Sequence, residues 1–156
     1  MVGHHRLMSS SVIASALRLR SSRQAEQQVE ERALRLLEKL GLSAFAETNA
    51  SELAMGSQKL LEIARALMAS PKLLMLDEPA AGLNDNETAE LAEVLMAVKN
   101  AGITVVLVEH NMPLVMSVSD QVIVIDSGSM IAAGRPEEIQ ADERVIEAYL
   151  GQEVAA

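Results

Sequence analysis

The chain has 156 residues, enough for one domain or part of one, and 49% of them are hydrophobic, enough for a sizeable core. Its only aromatic residues are Phe45 and Tyr149 and its formal net charge is −9, which argues against a base-stacking module or any other nucleic-acid partner. The absence of cysteine excludes disulfides and thiolate metal sites.

The first 25 residues carry four arginines, several serines and no acidic residue. This composition is typical of a transit peptide and equally of a basic amphipathic helix in a folded domain, and we favour the helix. No apolar run in the sequence approaches the roughly 20 residues needed to span a bilayer.

Two helices are predicted in the first half of the chain. From about Ser10 to Leu40, apolar residues recur at steps of three and four, which predicts a helix with one buried face. Gly41 is placed to end that helix. A second helix with an apolar stripe is predicted from about Gln58 to Ala69. It ends there because Pro71 disfavours the helical conformation in the residue before it. The apolar face of the first helix holds Val29, Ala33, Leu36, Leu37 and Leu40.

Three short apolar runs then predict strands at Leu73–Leu76, Ile103–Val108 and Gln121–Asp126. The first two do not alternate polar and apolar residues, so we expect both of their faces to be covered. A helix from about Asn86 to Asn100 lies between them, with Asn84 as a plausible N-cap and Glu87 three residues later. A strand, a crossover helix and a strand form a βαβ unit, which predicts parallel strands.

The last part of the chain predicts a hairpin and a terminal helix. Residues 126–129, "DSGS", form the turn, and Met130–Ala133 form the return strand. The fold class is therefore predicted to be α/β, with a helical part at residues 1–69, an α/β part with a parallel sheet and flanking helices at 70–135, and a C-terminal extension at 136–156.

Polar residues follow two of the predicted strands. Ligands of open parallel sheets sit at the carboxyl ends of the strands, where Asp77, Glu78 and His110 lie. Asp77 suits holding Mg²⁺ through its water shell, Glu78 suits activating a water, and His110 suits contacting a terminal phosphate. Each residue alone has an ordinary alternative as a turn or cap residue, but their order favours phosphoryl transfer.

The segment "LAMGSQKLLEIARAL", residues 53–67, places Gly56 just before a predicted helix. Free N–H groups at a helix start bind anions, and glycine lets a phosphate approach the backbone closely. A plain loop glycine before an amphipathic helix is the alternative. The position of the segment upstream of the acidic strand favours an anion site.

Together these segments resemble the ATP-binding subunit of ABC transporters, a P-loop NTPase family. "LLMLDEP" at 73–79 is similar to the Walker B strand with its catalytic glutamate, and "AAGLN" at 80–84 is similar to the D-loop. Residues 53–67 resemble the signature segment. "DEPAAGLN" and the tail "PEEI…RVIEAYLG" at 136–151 are similar to the branched-chain amino acid importer type, as is the opening "MVGHHR".

The resemblance implies ATP and Mg²⁺ as cofactors and a role for each candidate residue. Asp77 would contact Mg²⁺ through water, Glu78 would be the general base, and His110 would contact the γ-phosphate. The signature residues are implied to contact ATP that the opposite subunit holds, and they are Leu53, Ala54, Met55, Gly56, Ser57 and Gln58. Asn84 of the D-loop is implied to contact ATP as well.

Four residues depart from the family's usual pattern. Ala54 and Met55 stand where the signature core Leu-Ser-Gly-Gly-Gln has serine and glycine, and Ser57 stands at the glutamine position. Asn84 replaces the common aspartate of the D-loop.

The resemblance also implies partners and a location. Membrane permease subunits and a second ATP-binding subunit would complete the transporter, with residues 1–69 as the helical subdomain that touches the permease. The chain would be cytoplasmic, peripheral to the inner face of the plasma membrane.

A phosphate-cradling Walker A loop has the pattern G-x-x-x-x-G-K-[ST], and none of the eight glycines precedes a lysine. We therefore expect the C-terminal part of an ABC ATPase domain, starting after the Q-loop, with weak ATP·Mg²⁺ binding and poor solubility when isolated. Three functions stay open: an importer ATPase subunit in truncated form, a non-catalytic fragment or signature-donating module, and an unrelated mitochondrial protein in which "LDEP" is coincidental.

Overall fold

The computed structural model describes residues 20–150. The chain divides into two compact units, residues 1–106 and 107–156. The predicted opening segment and residues 10–19 of the first predicted helix lie outside the described residues, as do residues 151–156 of the predicted C-terminal extension. Among the described helices, none is long and apolar enough to cross a membrane.

After an initial long helix and two short turns, helices and strands alternate up to a hairpin, which short helical segments follow. The first unit contains α1 (Arg20–Lys39), two short 3₁₀ turns (Ser43–Phe45 and Ala50–Glu52), α2 (Met55–Leu67), β1 (Leu73–Asp77), α3 (Asp85–Asn100) and the start of β2 (Thr104–Val108). The second unit contains the end of β2, α4 (Met112–Val118), β3 (Val122–Asp126), β4 (Ser129–Gly134), α5 (Pro136–Gln140), α6 (Glu143–Val145) and a π-helical turn (Ile146–Leu150).

The strands form two separate two-stranded sheets. β1 and β2 pair in parallel, and Thr104 N–H donates to the Lys72 carbonyl at 3.0 Å where the pairing begins. β3 and β4 form an antiparallel hairpin that runs from Val122 opposite Gly134 to Asp126 opposite Ser129. The predicted α/β class, with a parallel βαβ unit and a hairpin, is confirmed.

The helix α3 begins where the sequence predicts, because its first turn is capped from both directions. The Asn84 Oδ1 atom accepts N–H bonds from Asn86 and Glu87 at 3.0 and 3.1 Å. The Glu87 carboxylate in turn accepts the Asn84 N–H at 3.0 Å. This reciprocal capping box satisfies backbone donors that have no partner inside the helix.

The core of the first unit surrounds α2, which packs against both α1 and α3. At its far end, Arg32 of α1 donates to Ser70 Oγ at 2.6 Å and to the Leu67 carbonyl at 3.3 Å. The fully or nearly fully buried apolar side chains of α2, β1 and α3 are Leu60, Ile63, Ala64, Leu67, Leu74, Leu91, Leu95 and Val98.

One face of β1 is exposed, which corrects the expectation that both faces are covered. Leu74 is 4% exposed, whereas Leu73 and Met75 are 49% and 71% exposed, and Val106 of β2 is exposed as well. Side chains alternate along a strand, so the odd-numbered residues of β1 share this face. Within the described part of the first unit, only the Leu74 side of β1 is covered. An uninterrupted apolar run does not distinguish a strand with one covered face from a strand with two.

The second unit has its own core, built on the inner face of the hairpin. Its short helix α4, which the sequence reading missed, has recognisable start signals in Asn111, whose side chain accepts the Leu114 N–H at 3.0 Å, and in Pro113. The buried core consists of Val122, Val124, Ala132, Ile139 and Val145.

Asp142 is the N-cap residue of α6. The Arg144 guanidinium, which is hydrogen-bonded to the Asp142 carboxylate, lowers the pKa of Asp142 from its ordinary value.

Replacing Asn84 with alanine removes the side-chain acceptor of the capping box. We expect Asn84→Ala to lower the free energy of unfolding by about 0.5–2 kcal/mol, the usual cost of losing such a cap. The matched control is Asn86→Ala, because Asn86 is an exposed residue two positions later in the first turn of α3. Urea denaturation followed by circular dichroism measures both, and equal losses in the two variants would contradict the capping role.

The exposed face of β1 predicts self-association of the isolated chain. Met75→Glu places a charge in the middle of that face, so we expect less aggregation at equal concentration, with unfolding free energy changed by less than about 0.5 kcal/mol. Leu34→Glu is the control, because Leu34 is exposed on α1 away from the sheet. Light scattering against concentration separates them, and equal behaviour of the two variants would count against the sheet face.

Candidate functional site

The carboxyl end of β1 carries the two acids in a strained turn. Asp77 is the last residue of the strand and is exposed, and Glu78 follows with φ of 43°. Residues other than glycine seldom adopt this left-handed conformation, and when they do it is often at a functional site. The Glu78 carbonyl accepts the Ala81 N–H at 3.1 Å, so the chain turns at once after the strand.

The signature-like segment forms the start of α2. The helix begins at Met55, so Gly56 lies within its first turn and is buried, rather than just before the helix as predicted. Ala54 occupies the N-cap position and provides no side-chain cap, since alanine has no acceptor. The Gln58 side chain turns back and donates to the Leu53 carbonyl at 2.8 Å, which closes the turn.

The start of α2 contacts the segment that follows β1. Gly56 N–H donates to Glu87 Oε1 at 3.3 Å. Met55 lies against Gly82, where an added Cβ would come within 2.6 Å of the Met55 Sδ atom. Gly82 also has φ of +80°, so both its conformation and its contact require a residue without a side chain. The structure therefore brings together the predicted signature segment and the predicted D-loop.

His110 lies in the second unit, in the turn after β2, and its side chain is 72% exposed. The neighbouring Glu109 carboxylate is fully buried and accepts the backbone N–H groups of His110 and Asn111 at 3.0 and 3.1 Å. The His110 Nδ1 atom lies 3.9 Å from the same Glu109 oxygen. Glu109 thus fixes the backbone that presents His110. In the sequence, the only sign of this role of Glu109 is its position directly before His110.

A cavity of about 980 Å³ opens between α1, α2 and α3 in the first unit. Of the predicted site residues it reaches Ser57, and Asp77, Glu78 and Asn84 are not in its lining. The acids therefore lie on an open surface of the first unit and outside this cavity. An open strand end suits a ligand that arrives with its own metal and phosphates.

The residues present fit Mg²⁺ only as part of a larger site. Among residues 20–150, no three His, Cys, Asp or Glu side chains are grouped to hold a metal ion. Mg²⁺ keeps several of its waters and commonly binds through one or two carboxylates together with substrate phosphates. Exposed Asp77 suits such water-mediated binding, with a nucleotide supplying the remaining oxygens.

Sequence comparison matches two family models to this chain. The model described as "ABC transporter" matches residues 4–81, which include the signature segment, β1 and both acids. The model described as "Branched-chain amino acid ATP-binding cassette transporter" matches residues 129–155, the end of the hairpin and the C-terminal extension.

Individual proteins match most of this chain but only part of themselves. The high-affinity branched-chain amino acid transport ATP-binding proteins BraF of Pseudomonas aeruginosa and LivG of Escherichia coli K12 are each 42% identical over 97% of this chain, which spans 60% of their length. A solved ATP-binding cassette of an ABC transporter in its ADP conformation superposes with a TM-score of 0.73 at 35% identity, covering 80% of this chain and 50% of that one.

The two matched regions contain the start of α2, the strand with its paired acids and most of the C-terminal extension. This chain belongs to the ATP-binding cassette family of ABC transporters, with the C-terminal region of the branched-chain amino acid type.

Proposed function

We propose that this chain carries the hydrolytic strand end and the signature segment of an ATP-binding subunit that powers the import of branched-chain amino acids. The observation that carries the proposal is the packing of the start of α2 on the segment after β1, through Met55 with Gly82 and Gly56 with Glu87. BraF and LivG are named as transport ATP-binding proteins of this type, which supports the substrate class.

At the end of β1, each acid has a separate task in this proposal. Asp77 would hold Mg²⁺ through a water molecule, and the ion would supply positive charge next to the phosphates of ATP. Glu78 accepts a proton from the attacking water. The left-handed backbone at Glu78 takes the chain out of the strand conformation directly after Asp77, which supports different tasks for two adjacent carboxylates. His110, presented by the turn that Glu109 caps, contacts the γ-phosphate.

At the start of α2, residues 53–58 contact ATP held by an opposite subunit. Ala54 and Met55 have no hydrogen-bonding side chain, so the helix N–H groups and the positive end of the helix dipole are the main attraction for phosphate. The Asn84 Oδ1 atom already accepts two backbone N–H groups. A nucleotide contact from Asn84 therefore comes from its amide nitrogen.

The partners in this proposal are a second ATP-binding subunit and membrane permease subunits, with the assembly at the inner face of the plasma membrane. A site in which the start of α2 contacts ATP held by the opposite subunit requires the second ATP-binding subunit. Family membership supports the permease partners.

A second candidate is a module that donates its signature segment without hydrolysing ATP itself. The observation in its favour is that its proposed phosphate donors, the N–H groups at the start of α2, all belong to this chain. In this case the start of α2 would function and the acids would not.

Two substitutions separate the candidates when the transporter complex is isolated through a tag on this chain. For a hydrolytic subunit, we expect Glu78→Gln to lower ATP turnover roughly 100- to 10,000-fold, the usual contribution of a general base. Glu90→Gln, an exposed glutamate on α3, is the matched control and keeps normal turnover.

For a signature donor, Glu78→Gln leaves turnover unchanged and Gly56→Ala lowers it, because an added Cβ at residue 56 occupies space that a phosphate needs to approach the N–H groups at the start of α2. Measuring phosphate release at saturating ATP distinguishes the two results. A complex whose turnover responds to neither substitution would contradict both candidates.

A further inference from the structure

The Glu87 side chain connects two helix starts. Its Oε2 atom accepts the Asn84 N–H at 3.0 Å, within the capping box of α3. Its Oε1 atom accepts the Gly56 N–H at 3.3 Å, across 31 residues of sequence, in the first turn of α2. The first bond is local and ordinary for a capping box, but the second is not part of that motif and depends on the tertiary fold.

The contact depends on glycine at position 56. A Cβ atom built there would lie 2.7 Å from Glu87 Oε1 and 3.0 Å from its Cδ and Cγ atoms. Real side chains do not tolerate such distances, so any larger residue would push the carboxylate away. Gly56 has no positive φ, so a side chain at this position would disturb the contact with Glu87 and not the backbone conformation.

The contact also has an electrostatic consequence. The first turn of a helix has free N–H groups and the positive end of the helix dipole, which together favour an anion. In this structure the anion at the Gly56 N–H is a carboxylate of the protein itself. A phosphate that approaches the same donor is repelled by Glu87 and competes with it for the hydrogen bond.

We propose that Glu87 is a positioning residue of the signature turn, residues 53–58 at the start of α2. Its carboxylate accepts the Gly56 N–H in place of a phosphate, and an arriving phosphoryl group must displace it. This inference rests on the proposed function, which places a phosphate at this turn. Oε2 stays on Asn84 when Oε1 is released. Phosphate binding at α2 is thereby coupled to the contact between the signature turn and the D-loop.

The test uses the full chain, labelled with ¹⁵N, and inorganic phosphate as the probe. In Glu87→Ala we expect the Gly56 amide hydrogen to exchange about three- to tenfold faster, which corresponds to the loss of one ordinary hydrogen bond. We also expect phosphate to shift the Gly56 resonance with a half-saturating concentration lowered about three- to tenfold. Glu90→Ala, which removes the same charge from the exposed side of α3, changes both values less than twofold.

Two further variants protect this result against a folding defect. Glu87→Gln keeps the shape of the side chain but has one acceptor oxygen and no charge, so the half-saturating phosphate concentration should again fall relative to Glu90→Gln. In Gly56→Ala the added Cβ already displaces the carboxylate, and adding Glu87→Ala should then change the phosphate response less than twofold.

Three results would overturn the proposal. Equal Gly56 exchange in Glu87→Ala and Glu90→Ala shows that the contact does not hold the turn. Faster exchange with an unchanged phosphate response assigns Glu87 a structural role alone. If phosphate shifts no α2 resonance in any variant, both the phosphate site of the proposed function and the competition with Glu87 are contradicted. If phosphate shifts the α2 resonances equally in all variants, the phosphate site stands and only the competition is contradicted.

Discussion

The arrangement of the candidate site residues in the first unit depends on the contact of the start of α2 with the segment after β1 and with the first turn of α3. Two glycines make this contact possible, one on each side: Gly82 accommodates the Met55 thioether and Gly56 accommodates the Glu87 carboxylate. Because neither glycine has a side chain, the Met55 thioether and the Glu87 carboxylate approach the backbone of the other segment closely. The strand that carries Asp77 and the helix that carries the signature residues are therefore held in one arrangement.

Local patterns in the sequence predict the elements of this arrangement well. The capping box at Asn84 and Glu87 is a short-range motif, and the structure forms it as predicted. The parallel pairing of β1 and β2 also follows from the order of strand, helix and strand. In both cases the residues that decide the outcome lie close together in sequence or belong to one supersecondary unit.

Other features could not be predicted, because they depend on what packs nearby in space. The second bond of Glu87 joins residues 31 positions apart, and no local pattern distinguishes it from an ordinary capping glutamate. The exposed face at Met75 has the same cause, since an apolar run is compatible with one or two covered faces. The buried Glu109 looks in sequence like a polar turn residue, yet it organises the backbone at His110.

The helix α2 is fixed at both of its ends by contacts of different kinds. At one end Gly56 is bonded to Glu87, and at the other Arg32 of α1 donates to the Leu67 carbonyl and to Ser70. Its 13 residues span about 20 Å, and an α-helix transmits an axial shift with little internal compression. A sub-ångström movement at the Gly56 end would thus reach Arg32 almost undiminished, so α2 mechanically links its first turn to the helix that precedes it in the chain.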